Sequence, residues 1–127
     1  MTAPRDVLVA IPTFHRPAQL DALLAALAPQ LDASRAQVLV IDNDPAGSAR
    51  EVVGDRARYV VEPGRGLAAV RNRALDESTG ARALVFIDDD EVPAPDWLPT
   101  LVDTWRRTGA EAVSGRVETR FPAGFAN

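Results

Sequence analysis

Short, nearly continuous apolar runs recur along this chain, each followed by a stretch with helical spacing. The runs are Val7–Ile11, Val38–Ile41, Tyr59–Val61, Ala83–Ile87 and Ala112–Val117. Most are rich in Val, Ile and Leu without polar alternation, the pattern of strands covered on both faces. Between the first two, Leu20, Leu23, Leu24, Leu27 and Leu31 mark one face of a helix, with Pro17 in its first turn and Pro29 at its end. Ser48 and Glu51 make an S-x-x-E capping box for a short second helix. Leu67, Val70, Ala74 and Leu75 line a third, with Gly80 just past its end. Leu98, Leu101, Val102 and Trp105 line a fourth that closes at Gly109, after a turn forced by Pro95 and Pro99. Such alternation predicts an α/β fold: a mostly parallel sheet with helices on both faces. A length of 127 residues fits one domain, 1–127.

Composition narrows the function classes. The chain has no cysteine, which excludes disulfides and Cys-based zinc sites. Its formal net charge is −4 and no basic block stands out, so nucleic acid is not an expected partner. No apolar run approaches the roughly 20 residues of a transmembrane segment. The N-terminus leads straight into the first strand without a signal-peptide pattern. A cytoplasmic chain, at most peripheral to a membrane, is the expectation.

In an open parallel sheet, ligands bind beyond the carboxyl ends of the strands, and the polar clusters gather there. Thr13, His15 and Arg16 follow the first strand; Asp42, Asn43 and Asp44 the second; Gly64, Arg65 and Gly66 the third; Asp88, Asp89, Asp90 and Glu91 the fourth. Four adjacent carboxylates repel one another unless a cation joins them. Oxygen-only ligands select Mg²⁺ or Mn²⁺, which share their shell with substrate phosphates; the competing reading is a solvated acidic loop. Asp42-Asn43-Asp44 also reads as an ordinary turn before Pro45, and Gly64-Arg65-Gly66 either as a flexible turn or as an anion-binding approach to the third helix. Arg71 falls inside the apolar arc of that helix while Arg73 points away. Arg71 is therefore expected to be buried against Asp88 or Asp42, unless its stem packs and its head escapes to water.

Five segments in this order resemble the family 2 glycosyltransferases. VAIPTFHR (Val9–Arg16) is similar to the family's opening strand and turn, and VLVIDND (Val38–Asp44) to its second strand and base-binding Asp. GLAAVRNRAL (Gly66–Leu75) resembles its G-x-A-x-A-R-N segment, and LVFIDDDEVPAPDWL (Leu84–Leu98) its D-x-D loop and P-x-W-L. AVSGRV (Ala112–Val117) resembles the next strand. The resemblance implies a Rossmann-like fold of the nucleotide-diphospho-sugar transferase type. It places Pro12 and Thr13 beside the nucleobase, Asp42 on the base edge, Asp44 near the same pocket and Asp89 on the ribose. Asp90 would hold the metal, with Asp88 beginning the motif and joining the metal site or bracing it through Arg71, itself a nucleotide-side residue.

The implied reaction moves a sugar from a nucleotide-diphospho-sugar, with a UDP-sugar the leading expectation, to an acceptor hydroxyl with inversion. A divalent metal would stabilise charge growing on the diphosphate, and a base would deprotonate the acceptor. In the family, the base and acceptor motifs lie after the strand matched by AVSGRV. No later acidic pair or Q-x-x-R-W-type segment follows here, so the catalytic base is unassigned and the chain reads as an apparently truncated donor-binding half. The alternative is a non-catalytic nucleotide-binding remnant. Either form would leave apolar surface near Val113 and Val117 and invite self-association. A P-loop NTPase is excluded by the missing G-x-x-x-x-G-K-[ST].

Overall fold

A computed structural model describes residues 6–108. Four strands form one parallel sheet: β1 (Val7–Thr13), β2 (Ala36–Asp42), β3 (Arg58–Val61) and β4 (Ala83–Phe86), in the order β3-β2-β1-β4. Five α-helices connect or follow them: α1 (Pro17–Leu27), α2 (Leu31–Ser34), α3 (Arg50–Val53), α4 (Leu67–Glu77) and α5 (Trp97–Thr108). The expected strand at Ala112–Val117 and the stop at Gly109 lie outside the described residues.

Alternate side chains of a strand face opposite sides of a sheet, and here each side has its own core. Val7, Val9, Ile11, Val38 and Val40 pack with Leu20, Leu23, Leu24 and Leu27 of α1, Val53 of α3, and Leu98, Leu101 and Val102 of α5. Leu8, Ala10, Leu39 and Ile41 turn the other way, onto Val70 and Ala74 of α4. Burial on both faces explains why the strands read as unbroken apolar runs.

Local chemistry departs from expectation in three places. Pro29 does end the regular helix, but the chain continues through a 3-10 turn over Ala28–Gln30 into α2, stopping at Arg35 with φ 51°. The Ser48–Glu51 capping box does not form: α3 has no side-chain cap, and the Ser48 side chain bonds Asp44 instead. On α4, Leu67 and Leu75 are 58% and 59% exposed, so the buried stripe narrows to Val70 and Ala74.

Gln30, nearly fully buried, pins α5 to the end of α1. Its Nε2 donates to the carbonyls of Ala26 and Ala94, each at 3.1 Å, and its Oε1 accepts from the Leu98 N–H at 2.9 Å. This clamp fixes the far end of the loop that carries the acidic run.

Candidate active site

The strand order places the site. From β1 the chain steps outward to β2 and β3, then α4 returns it to the other side of β1 to make β4. The loops leaving β1 and β4 therefore run side by side toward α1 and α5 on one face, while α4 starts on the other, and a crevice lies between them at the carboxyl ends of the strands. A cleft of about 390 Å³ lies there. Pro12, Thr13, Phe14 and Arg16 line it from the β1 end, Asp88, Asp89 and Asp90 from the β4 end. Asn43 closes it beside β2, and Gly66, Leu67 and Val70 of the α4 start form the remaining wall.

Asp89 is the hub of the polar side. Its Oδ2 accepts from the buried Thr13 hydroxyl at 2.9 Å, and its Oδ1 lies 3.5 Å from Arg16 Nη1. The same Arg16 nitrogen is 3.0 Å from Asp90 Oδ2. Burial pushes the Asp89 carboxyl above its ordinary value; the Thr13 bond and the Arg16 charge oppose that, and Asp90 adds to it. Glu91 is raised for the same first reason, its burial. The backbone turns tightly here: Asp88 N–H donates to Glu91 Oε1, and Glu91 N–H to the Asp88 carbonyl, both at 3.1 Å.

The start of α4 is uncapped and carries no acidic residue in its first turn. Gly66 enters it at φ 98°, ψ 169°, a conformation essentially confined to glycine. Free first-turn N–H groups at the wall of a cleft favour an anion. His15, at φ 55°, packs edge-on against Phe14 and lies 3.5 Å from Asp44 through Nε2.

Of the residues expected at a nucleotide, the structure brings Pro12, Thr13 and Asp89 to the cleft, but not Asp42, Asp44 or Arg71. Asp42 is fully buried and its carboxylate is already engaged. Oδ1 accepts from Asp44 N–H at 3.0 Å; Oδ2 accepts from Ala49 N–H at 2.9 Å and from the Tyr59 hydroxyl at 2.6 Å. Burial first, and then the bond to that carboxylate, raise the Tyr59 pKa. Asp44 is likewise turned into its loop, and the Ser48 bond foremost, then Ala46 N–H, holds it below the ordinary carboxylate value.

Arg71 corrects the helical-wheel expectation. It is exposed, with its guanidinium 5.9 Å from the centre of the Phe86 ring, and forms no ion pair with Asp88 or Asp42. Arg73 is the tethered one: it lies 3.0 Å from Glu77 and 3.5 Å from Glu62, and donates to the Val61 carbonyl at 3.2 Å. Asn43, which the sequence marks only as a turn former, lines the cleft and holds the β3 exit. Its Nδ2 donates to the carbonyls of Glu62 and Gly64, each at 2.7 Å. Arg16, visible in sequence only as a strand-end residue, proves to be the cation on the acidic run.

Among the described residues no three His, Cys, Asp or Glu side chains gather to hold a metal. Two carboxylates, those of Asp89 and Asp90, do converge on one cationic nitrogen. Asp88 lines the same cleft. Mg²⁺ and Mn²⁺ need no protein cage, since they bind through one or two carboxylates together with waters and substrate phosphates. The donor set fits such an ion.

The architecture is that of the nucleotide-diphospho-sugar transferases. Glucosyl-3-phosphoglycerate synthase from Mycobacterium tuberculosis, in complex with Mn²⁺, UDP and glucosyl-3-phosphoglycerate, superposes with a TM-score of 0.63 at 22% identity, covering 78% of this chain and 39% of that one. Mannosyltransferase PcManGT from Pyrobaculum calidifontis, in complex with GDP-Man and Mn²⁺, gives 0.64 at 23% identity over 79% of this chain and 32% of that one. The sequence pattern of glycosyl transferase family 2 matches residues 8–127, and the chain belongs to that family. It is 38% identical over 121 residues to the succinoglycan biosynthesis protein ExoM of Rhizobium meliloti, and 32% over 126 residues to the glycosyltransferase AglE of Haloferax volcanii. These alignments cover 89% and 93% of the chain but only 39% and 41% of the relatives. No described helix is long and apolar enough to cross a membrane.

Proposed function

We propose that the chain is the donor-binding part of an enzyme that transfers a sugar from a nucleotide-diphospho-sugar to an acceptor hydroxyl with inversion. The observation that carries this is the convergence of Thr13, Arg16, Asp89 and Asp90 at the switch-point cleft beside the uncapped start of α4. Pro12 and Asn43 would flank the nucleobase, with Phe14 exposed beside them at the rim. Asp42 and Asp44 would serve that pocket indirectly, by holding the loop that presents Asn43. Thr13 orients Asp89, whose carboxylate is then directed to the ribose.

Asp90, with Asp88 on the same rim, would hold Mn²⁺ or Mg²⁺, which when bound supplies charge stabilisation to the departing diphosphate. The first-turn N–H groups of α4 offer a second anion contact. A UDP-sugar is the donor of first choice. No described carboxylate is assigned as the base, and the chain spans only 39% and 41% of the two relatives' lengths.

Calorimetry with UDP tests the reading. UDP should bind much more tightly with Mn²⁺ than with EDTA, and Asp90→Ala should remove that difference. Equal affinity with and without metal would overturn it.

A further inference from the structure

Arg16 stands where a divalent ion would have to work. One nitrogen, Nη1, reaches Asp90 Oδ2 at 3.0 Å and Asp89 Oδ1 at 3.5 Å. An ion takes oxygen ligands at roughly 2.0–2.1 Å, so an ion on the side of Asp90 Oδ2 that now faces Arg16 would lie almost in contact with that nitrogen. Three positive charges cannot share so small a space, and the two occupants exclude each other.

We infer that Arg16 and the divalent ion are alternative partners of the Asp90 carboxylate, and that Arg16 turns to the diphosphate when the ion arrives. This rests on the donor-site reading above. The backbone of Arg16 is anchored, its carbonyl accepting from Leu20 N–H at 3.0 Å as α1 begins. Among the described residues its side chain, 49% exposed, is held at its tip by those two acids and can swing about that fixed point. A guanidinium fork suits phosphate oxygens as well as carboxylates. With Arg16 released onto phosphate, the ion no longer competes with it. Metal and nucleotide therefore bind cooperatively, each raising the affinity of the other.

The test compares the wild-type chain with Arg16→Gln, titrating Mn²⁺ alone and then UDP at saturating Mn²⁺. Removing a competing half-exposed ion pair should tighten Mn²⁺ alone by roughly threefold to fivefold. The same change should weaken UDP by at least about fivefold, since a charge-assisted phosphate contact is lost. A merely structural arginine would shift both affinities in the same direction. Unchanged or weaker Mn²⁺ binding in Arg16→Gln, while wild type still binds UDP in a metal-dependent way, overturns the inference alone. Metal-independent UDP binding by wild type overturns the donor-site reading with it. A second measurement needs no variant: adding Mg²⁺ to the wild-type chain should shift the Arg16 side-chain Nε resonance as the ion pair opens. An unmoved resonance at saturating Mg²⁺ also refutes the exchange.

Discussion

Asp42 offers the sharpest separation between a ligand contact and a structural acid. Its carboxylate is buried and takes three donors: the N–H groups of Asp44 and Ala49 and the Tyr59 hydroxyl. In Asp42→Asn one oxygen becomes an NH₂. Placed toward Asp44, that group faces an N–H, loses the bond and leaves a buried donor unsatisfied, at about 1–3 kcal/mol. The remaining oxygen keeps Ala49 and Tyr59 but as a neutral acceptor, weakening each bond by about 1 kcal/mol. The expected loss is about 3–5 kcal/mol, or a urea midpoint lower by roughly 2–3 M for an m-value of about 1.5 kcal/mol/M. Tyr59→Phe alone should cost about 1–2 kcal/mol, and less in the Asp42→Asn background because the two share one bond. Urea unfolding of the four proteins gives the cycle, and calorimetry gives UDP affinity. If Asp42→Asn unfolds like wild type while losing UDP binding, Asp42 is a base contact and the buried network described above has no energetic weight.

Three further outcomes follow from the same geometry. Arg71→Leu should change unfolding free energy by no more than about 0.5 kcal/mol, whereas Arg73→Leu should cost about 1–2 kcal/mol; equal losses would mean that the Glu62 and Glu77 contacts are idle. Gly66→Ala meets open space but a φ of 98°, so it should cost about 1–3 kcal/mol of backbone strain with no steric clash, seen as a lower melting temperature. Asp44 is held below the ordinary value of 3.8, chiefly by Ser48, so its contribution to stability is present above pH 3.8 and is lost as pH falls through the lowered native value. The melting-temperature gap between wild type and Ser48→Ala should accordingly be full near neutrality and shrink below pH 3.8; a gap that widens in acid would reverse the assigned sign.

Strand and helix content was readable from the chain because each depends on residues only a few positions apart. The periodicity of Leu20, Leu23, Leu24 and Leu27 and the unbroken run from Val7 to Ile11 carry their own burial pattern. The alternation also made the parallel sheet predictable, and with it the edge at which Thr13, Asn43 and the acidic run collect. Pairing across that edge was not readable. Arg71 and Arg73 show why: measured from the line midway between Val70 and Ala74, each lies about 80° away, on opposite flanks of α4. The wheel cannot rank them. Only the crossover from β3 to β4 puts Glu62 and the Val61 carbonyl on one flank and Phe86 on the other.

The acidic cluster divides in the same way. Sequence places Asp42 and Asp44 beside Asn43, and Asp88 beside Asp89 and Asp90, but neighbours in a loop point in different directions once its turns close. Asp42 turns inward because Ala49 and Tyr59, distant in sequence, present donors there, and Asn43 takes the cleft. Arg16 meets Asp89 and Asp90 across more than seventy residues, because β1 and β4 pair in parallel and point toward the same edge of the sheet. Residue type and local period determined the elements, the sheet edge and the kind of ligand chemistry gathered there. Which carboxylate braces a loop and which faces the cleft was decided by the tertiary structure, since hydrogen-bond direction depends on donors that only folding brings near.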